Sequence, residues 1–278
     1  MRNVGIIGNG FVGSSISSGF SLHSNVRIYD VDERKSTDSL GNVIKKSEFI
    51  FVCVPTPMNI NDNNSIDLSY ITNVLAECST FKMDHDPVFI IKSTTIPGSM
   101  EKLAEKFPNL NIVYNPEFLT ERCARLDFIN ASRIVLGGSG EPLDRAESLF
   151  RDRFPHTKII KCDFATAQFI KYMANCFFSV KVGFMNEMKQ ASDVLGVDWE
   201  TALNGFVSDG RVGNSHLDVP GHDGQRGFGG KCFPKDLNAF ISMFNAIGVE
   251  PTIMMATWKK NLEVRNEQDW SIDGATTS

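Results

Sequence analysis

The strongest constraint on the fold of this chain is a glycine pattern near its start, Gly8-Asn9-Gly10-Phe11-Val12-Gly13. The pattern follows a β-branched run at Asn3–Ile7 and leads into a helical stretch. In a strand–turn–helix of this kind, Gly8 permits the tight turn, Gly10 lets the backbone approach a pyrophosphate, and Gly13 allows the helix to lie close to the sheet. The pattern therefore predicts a βαβ unit that binds a dinucleotide.

Asp30 extends this prediction to the kind of dinucleotide. It stands twenty residues after Gly10, at the end of the next predicted strand, where a carboxylate accepts hydrogen bonds from the adenosine ribose. Phe11 and Val12 open the helix whose N-terminal N–H groups face the phosphates. Because a carboxylate at this place would repel a 2′-phosphate, we expect NAD rather than NADP as the cofactor. A purely structural glycine turn is the alternative interpretation.

Short apolar runs interleaved with helical stretches fill the first half of the chain. The predicted strands are Asn3–Ile7, Val26–Tyr29, Phe49–Val54, Val88–Ile91, Asn111–Tyr114, Arg133–Leu136 and Lys158–Lys161. Runs of this length and pattern are typical of a parallel sheet covered on both faces. From about Phe164 the pattern becomes helical, with one long helix over residues 164–195 and further helices from Pro234 and Pro251.

The fold class that follows is α/β. We predict a Rossmann-like parallel-sheet domain over residues 1–163 and a smaller, all-helical domain over residues 164–278, separated where the pattern changes. Residues 205–231 of the second domain are rich in glycine and are expected to be irregular.

Composition excludes several classes of function. Lys and Arg number 28 against 33 Asp and Glu, a formal charge of −5, so no basic excess favours nucleic-acid binding. The longest apolar runs, such as Phe49–Val54, fall far short of the ~18 residues that a membrane span needs. The start at Met1-Arg2 does not read as a secretory signal. The cysteines and the five histidines lack metal-ligand spacing. We expect a soluble cytoplasmic protein that binds no metal, nucleic acid or membrane.

Cys232 is the one cysteine whose surroundings predict reactivity. Pro234 suits the first turn of a helix, so Cys232 is expected at its N-terminus, where free N–H groups and the helix dipole favour a thiolate. Lys231 and Lys235 add positive charge, and Asp236 is predicted on the same helix face, in reach of a proton-transfer role. The other five cysteines, at positions 53, 78, 123, 162 and 176, are interpreted as small buried hydrophobes.

A dinucleotide site and a nucleophilic cysteine together predict more than a simple alcohol oxidation. A thiol adds to an aldehyde to give a thiohemiacetal, which can lose hydride and become a thioester, and the thioester hydrolyses to a carboxylate. A bystander cysteine in an ordinary dehydrogenase is the alternative.

Six segments occur in the order typical of a known family. They are Gly8–Gly13, Val54-Pro55-Thr56-Pro57, Lys92-Ser93-Thr94, Asn115-Pro116-Glu117-Phe118-Leu119-Thr120-Glu121, Lys171 with Asn175, and Gly227–Asp236. From residue 1 to about 262 the chain resembles the UDP-glucose/GDP-mannose dehydrogenases, and most closely the members that oxidise UDP-glucose. The resemblance implies oxidation of C6 of a nucleotide sugar from alcohol to carboxylate, with two NAD+ and a cysteine thioester. It also implies a homodimer through the helical domain and a role in polysaccharide biosynthesis.

The resemblance assigns roles to individual residues. Cys232 is the implied nucleophile, with Lys171 stabilising the oxyanion and Asn175 holding the same oxygen. The two are four residues apart, on one helix face, as a developing alkoxide would need; a solvated lysine and a surface asparagine are the alternative. Asp236 and Thr94 are expected to orient water, and Glu117 to assist proton transfer or thioester hydrolysis.

Further residues are implied as binding groups. Implied cofactor contacts besides the glycine turn and Asp30 are Pro55, Thr56, Thr94, Glu121 and Lys235. Implied substrate contacts are Glu117, Phe118, Leu119, Lys171, Asn175, Arg211, Phe228 and Gly229. Arg211 resembles the arginine that reaches the substrate across the dimer interface in the family, and the glycine-rich segment 221–230 would form a substrate loop.

The chain departs from the family pattern in two ways. Fewer than twenty residues separate Asp30 from Phe49, so a helix and one strand of the nucleotide fold are expected to be missing. Family members also continue into a second Rossmann-like domain that binds the nucleotide of the substrate, which we expect this chain to lack. Two other interpretations stay open: a single-step β-hydroxyacid-type dehydrogenase, and a non-catalytic NAD-binding or scaffolding subunit.

Overall fold

The computed structural model describes residues 1–59, 65–120 and 122–271. The chain forms two compact units. The first unit comprises Met1–Pro57 and Ile66–Lys171, and the second comprises the described parts of 58–65 and 172–276. The two units divide between residues 171 and 172, inside a long helix. The predicted domain boundary between residues 163 and 164 stays a prediction.

The first unit contains the predicted parallel sheet. The described strands are β1 (Arg2–Ile7), β2 (Ser24–Tyr29), β3 (Phe49–Val52), β4 (Met58–Asn59), β5 (Ser65–Ile66), β6 (Val88–Ile91), β7 (Asn111–Tyr114), β8 (Arg133–Gly137) and β9 (Lys158–Cys162). Seven of them form one sheet in the order β2-β1-β3-β6-β7-β8-β9, and β4 pairs with β5. All neighbours in the large sheet are parallel except β7 and β8.

The strand order explains where a ligand can bind. Because β1 lies between β2 and β3, the connections that leave β1 and β3 go to opposite sides of the sheet. In open α/β sheets such a switch point leaves a crevice outside the carboxyl ends of the strands. The glycine turn that follows Ile7 is at this edge. The predicted α/β, Rossmann-like fold class is confirmed.

The apolar runs become strands because both faces of the sheet are covered. Along β3 and β6 the side chains alternate between two separate hydrophobic cores. One core receives Ile50, Val52, Phe89 and Ile91, and the other receives Phe49, Phe51, Val88 and Ile90. A strand buried on both faces has no polar alternation in its sequence, which is the pattern that predicted it.

Helices cover the sheet and make up most of the second unit. They are α1 (Phe11–Phe20), α2 (Leu40–Lys46), α3 (Ser69–Ser79), α4 (Ser99–Lys106), α5 (Ala124–Ile129), α6 (Gly140–Arg153), α7 (Phe164–Leu195), α8 (Trp199–Val207), α9 (Phe233–Ala246) and α10 (Thr252–Val264). The predicted long helix over residues 164–195 is confirmed as α7. None of the described helices combines the length and apolar character that crossing a membrane requires.

The short connection after Asp30 leaves a reduced nucleotide fold. Between β2 and β3 the described residues form only a 3-10 turn, Glu33–Lys35, and the seven-residue helix α2. The sheet accordingly ends at β2, with no strand of the described chain beyond it. The absence of one strand here agrees with the expectation from the sequence, and α2 is the helix that remains.

Candidate functional site

The glycine turn after β1 has a backbone that only glycine can adopt without strain. Gly8 has φ +91°, in the left-handed region that favours glycine. A Cβ on Gly13 would lie 2.0 Å from the carbonyl oxygen of Gly8, far inside van der Waals contact. The glycines at these two positions therefore let α1 start directly against the turn, as the sequence predicted.

The N-terminus of α1 and Asp30 together fit a dinucleotide. Among the described residues no side chain caps α1, so its first N–H groups remain for an anionic ligand. The Asp30 carboxylate accepts hydrogen bonds from the N–H groups of Asn9, at 2.6 Å, and Asp32, at 2.9 Å. These bonds hold the carboxylate beside the glycine turn, where a ribose hydroxyl can reach it. The turn and Asp30 are thus suited to the pyrophosphate and ribose of NAD.

The other implied cofactor residues belong to separate segments of the chain. Pro55 and Thr56 follow β3, and Thr56 is buried whereas Pro55 is exposed. Thr94 follows β6 and is half-buried. Lys235 belongs to the second unit, and Glu121 lies outside the described residues. Their cofactor contacts stay predictions.

The sequence did not predict a cavity that lies beside α1. It has a volume of about 280 Å³ and is lined by Phe11, Ser14 and Ser15 of α1 and by residues 122–126. Arg122 and Arg125 are among the lining residues. No local spacing relates these segments, because more than a hundred residues separate them along the chain.

Glu117 and Lys171 form a buried ion pair in the first unit. The Lys171 ammonium donates to the Glu117 carboxylate at 2.7 Å and to the Glu117 carbonyl at 2.6 Å. The side chains are 8% and 3% exposed. Burial by itself would raise the pKa of Glu117, but the charge and hydrogen bond of Lys171, helped by the Leu119 N–H, hold that pKa below its ordinary value. The alternative of a solvated lysine is therefore wrong for Lys171.

Two neighbouring residues support this pair. Lys92 donates to the Asn115 side-chain oxygen at 2.8 Å and to the Pro116 carbonyl at 3.4 Å, and Asn115 donates to the Val135 carbonyl at 2.7 Å. Burial lowers the pKa of Lys92 to about 8. We assigned no role to Lys92 or Asn115 from the sequence. Lys92 directly follows the four apolar residues of β6, and this position is the signal in the sequence that its side chain is buried.

Cys232 occupies the predicted place at the start of α9. It is the N-cap residue of the helix, Pro234 lies in the first turn, and the Asp236 N–H donates to the Cys232 carbonyl at 2.8 Å. The side chain of Cys232 is exposed. An exposed sulfur at a helix N-terminus is suited to act as a nucleophile.

The remaining cysteines divide into two groups. Burial raises the pKa of Cys53 and Cys78 to about 12 and also raises that of Cys176 and Cys162. This is the behaviour of inert thiols. Cys123 is exposed, so the interpretation of all five as buried hydrophobes is wrong at this position. Cys123 lies in the turn that precedes α5, and there its side chain faces solvent instead of packing in a hydrophobic core.

Asp236 organises the polar groups of the second unit. Asn175 donates to one of its carboxylate oxygens at 2.6 Å, and Lys235 donates to the other at 2.5 Å. Asp236 is 1% exposed and Asn175 is 7% exposed, so the alternative of a surface asparagine is wrong for Asn175. The structure thus joins Asn175 to Asp236, which the sequence had only placed in separate segments.

The implied substrate residues lie in several environments. Phe118 packs against Lys171, with its ring centroid 5.6 Å from the ammonium nitrogen. Arg211 is 89% exposed and pairs with Asp209 at 2.5 Å. Phe228 is buried, at 4% exposure, and Gly229 follows it in the glycine-rich segment. Contacts of these residues with a substrate, and those of Leu119, stay predictions.

Comparison with known proteins identifies the two parts of the chain. Residues 34–152 match the NAD binding domain of the UDP-glucose/GDP-mannose dehydrogenase family, and residues 165–263 match the central domain of the same family. Together the two matches cover most of the sequence. The first match begins just after the glycine turn and Asp30.

Individual relatives are similar to this chain over only part of their own length. The UDP-glucose 6-dehydrogenase of Rickettsia bellii is 32% identical over 238 residues, which are 82% of this chain and 52% of the relative. That of Pseudomonas aeruginosa is 32% identical over 239 residues, covering 81% of this chain and 51% of the relative. The chain therefore spans about half the length of these curated relatives.

Solved structures agree with the fold. A UDP-glucose dehydrogenase from Pyrobaculum islandicum superposes with a TM-score of 0.80 at 26% identity, covering 95% of this chain and 68% of the other. A 3-hydroxyisobutyrate dehydrogenase from Mycobacterium tuberculosis superposes with a TM-score of 0.74 at 16% identity, covering 100% of this chain and 97% of the other. The second likeness concerns the fold alone.

Proposed function

Because the chain belongs to the UDP-glucose/GDP-mannose dehydrogenase family, we propose that it oxidises C6 of a nucleotide sugar from an alcohol to a carboxylate, with NAD+ as the oxidant. The observation that carries this proposal is the exposed Cys232 at the N-terminus of α9, in a chain that also has an NAD-binding domain. A single-step dehydrogenase has no use for such a thiol. UDP-glucose is the proposed sugar, since the relatives of 32% identity are UDP-glucose 6-dehydrogenases.

The first oxidation converts the C6 alcohol to an aldehyde. The glycine turn and Asp30 would hold NAD+, which would supply the hydride acceptor for this oxidation. Lys171 and Asn175 lie one turn apart on α7, and their ammonium and amide groups are proposed to stabilise the negative charge on the C6 oxygen. The hydroxyl proton leaves towards Glu117, which already accepts a hydrogen bond from Lys171.

The second oxidation requires the cysteine. The Cys232 thiolate forms a C–S bond to the aldehyde carbon as the C=O double bond opens to an alkoxide, and the resulting thiohemiacetal alkoxide loses a second hydride, for which NAD+ would supply the acceptor, to become a thioester. Water, oriented by Asp236 and Thr94, then attacks the thioester carbon, and the C–S bond breaks to release the carboxylate and the thiolate. One alcohol, two NAD+ and one water give one carboxylate, two NADH and three protons.

A homodimer is also part of the proposal. Met173, Phe177, Phe184 and Met188 are spaced at helical intervals on α7, and between 37% and 59% of each is exposed. Such a stripe on one helix is suited to pack against a second copy of the same helix. Location in the cytoplasm remains a prediction from the sequence, and a role in polysaccharide biosynthesis remains a prediction from the family resemblance.

The test is the yield of NADH over a panel of UDP- and GDP-sugars. With UDP-glucose we expect two equivalents of NADH for each sugar consumed. Cys232→Ser should reduce turnover to carboxylate by at least about 100-fold, because a serine hydroxyl at neutral pH is a far weaker nucleophile than a thiolate. Cys123→Ser is the matched control, since this cysteine is also exposed, and it should leave the yield unchanged.

The other interpretations give different outcomes in the same assay. One equivalent of NADH for each substrate, unaffected by Cys232→Ser, would favour the single-step hydroxyacid dehydrogenase. Measurable NAD binding with no NADH from any nucleotide sugar would favour the non-catalytic subunit.

A further inference from the structure

The loop that precedes Cys232 has an unusual backbone. We call residues 227–230, Gly-Phe-Gly-Gly, the cysteine loop. Gly227 and Gly230 have φ +69° and +72°, which are conformations that glycine adopts without strain. A segment with three glycines loses much backbone entropy when it is held in one conformation. Some interaction must therefore stabilise the observed path of this loop.

Asn261, near the end of α10, supplies one such interaction. Its side-chain oxygen accepts the Phe228 N–H at 2.7 Å, and its amide nitrogen donates to the Phe228 carbonyl at 2.9 Å. Asn261 is 1% exposed. One carboxamide thus satisfies both the N–H and the carbonyl of Phe228, as a neighbouring strand would. Because the site is buried, leaving either group without a hydrogen bond would be costly.

Arg265 and Asp269 hold the other end of the loop. The Asp269 carboxylate accepts the Gly230 N–H at 3.0 Å and pairs with Arg265 at 3.2 Å. Arg265 also pairs with Asp223 at 2.9 Å, and its side chain is only 3% exposed. The arginine therefore fixes the carboxylate that binds the loop.

The same side chains explain why the loop is rich in glycine. A Cβ on Gly227 would lie 2.3 Å from the Asn261 side-chain oxygen, and a Cβ on Gly229 would lie 2.1 Å from an Arg265 nitrogen. A larger residue at either position would displace the group that holds the loop. The glycines thus admit these side chains against the backbone.

We propose that Asn261, Arg265 and Asp269 form a clamp that positions Cys232. The cysteine loop ends at Gly230, and only Lys231 separates it from Cys232, the N-cap of α9. Holding the loop therefore fixes the direction in which the chain enters α9, and with it the position of the sulfur at the helix N-terminus. None of the three residues needs to touch the substrate. The consequence for turnover rests on the proposed function, whereas the consequence for thiol reactivity does not.

The first test measures alkylation of Cys232 by iodoacetamide, followed by mass spectrometry of the peptide that contains it. Asn261→Asp keeps the shape and one acceptor but removes the donor to the Phe228 carbonyl. We expect the alkylation rate at pH 7 to fall about 10-fold, because a mobile sulfur no longer stays at the helix N-terminus. Asn266→Asp, the same change at an exposed position, is the control and should leave the rate unchanged.

The second measurement is kinetic. With UDP-glucose, kcat of Asn261→Asp should fall by a factor similar to that of the alkylation rate, while KM for NAD+ changes less than about two-fold, since positioning of a nucleophile acts on the chemical step. A change in alkylation without any NADH from wild-type protein would leave the clamp standing and contradict the proposed function. A folded Asn261→Asp with unchanged alkylation and kcat would overturn the clamp.

A further variant covers the case in which Asn261→Asp does not fold. Asp269 is 37% exposed, so Asp269→Ala is less disruptive, and it removes the acceptor of the Gly230 N–H. We expect the same loss of alkylation rate, with Asn266→Ala as the control. A folded Asp269→Ala that reacts at the wild-type rate would also overturn the clamp.

Discussion

Glu117 and Lys171 illustrate how one pair of side chains can matter to both stability and chemistry. Both are buried, and Lys92 is close enough to affect the charge on Glu117. Removing one partner of such a pair leaves the other charged and without compensation in a poorly solvated place. The same isolation from water strengthens the interaction of Lys171 with any oxyanion that develops beside it.

Glu117→Gln tests the pair through stability. We expect the free energy of unfolding at pH 7 to fall by about 3–5 kcal/mol, because the Lys171 ammonium loses its buried counterion. The pKa of Glu117 is lower in the fold than in the unfolded chain. Its contribution is therefore present above the unfolded value and lost as the pH falls through the folded one, so the deficit of the variant should shrink in acid. Urea denaturation from neutral to acidic pH measures both effects.

Glu141→Gln is the matched control. Glu141 pairs with Arg145 at 3.8 Å on α6, and its side chain is 80% exposed, so its loss should cost at most about 1 kcal/mol. Equal effects of the two substitutions at neutral pH would contradict the importance assigned to burial.

Two helices of this chain begin at residues for which a function is proposed. The glycine turn leads into α1, and Cys232 is the N-cap of α9. In each case the helix presents N–H groups that would stabilise negative charge, on a cofactor phosphate at α1 and on the proposed thiolate at α9. The turn before α1 fits because Gly13 lets the helix start beside Gly8.

Gly13→Ala tests the packing of α1 on this turn. The added Cβ would lie 2.0 Å from the Gly8 carbonyl oxygen, so we expect a loss of about 3 kcal/mol in stability and at least about 10-fold weaker NAD binding. Gly205→Ala in α8 is the control, because a Cβ there meets nothing within 4 Å and should add up to about 1 kcal/mol of stability. Calorimetric titration and thermal unfolding measure these effects. Wild-type NAD affinity in Gly13→Ala would contradict the role of the turn.

The whole molecule has a formal charge of −5, although its proposed substrate and its cofactor are both anions. A chain with a net negative charge can still bind anions through local positive groups, because helix N-termini and a few cations act over distances shorter than the protein. The chain spans about half the length of its curated relatives. Assembly of two copies through α7 is the proposal that concerns the molecule as a whole.

Phe177→Asp tests that assembly. Phe177 is 59% exposed on α7, and a carboxylate at the centre of an apolar interface is costly to bury. We expect the wild-type chain to sediment as a dimer and the variant to sediment as a monomer at the same concentration. Leu22→Asp, at an 84% exposed residue outside α7, should remain dimeric. A wild-type monomer at high concentration, or an unchanged dimer in Phe177→Asp, would contradict the proposal.

Local patterns in the sequence were sufficient for the glycine turn, the seven strands of the large sheet, the long helix α7 and the position of Cys232 at the start of α9. Each depends on residues near one another in the chain, where backbone geometry converts spacing directly into structure. The same reasoning was wrong for Cys123, whose exposure depends on what packs around a turn. Lys171 and Asn175 could be placed on one helix face, but their burial could not be derived.

The tertiary structure alone decided which distant groups meet. Glu117 and Lys171 are 54 residues apart, Asn175 and Asp236 are 61 apart, and Phe228 and Asn261 are 33 apart. A buried polar group must find a partner, but several partners satisfy that need and no local pattern selects among them. The sequence by itself therefore determined the fold class and the cofactor, and it predicted the nucleophile. Packing decided how the lysine, the carboxylates and the loop before Cys232 are held, because that depends on contacts between segments far apart in the chain.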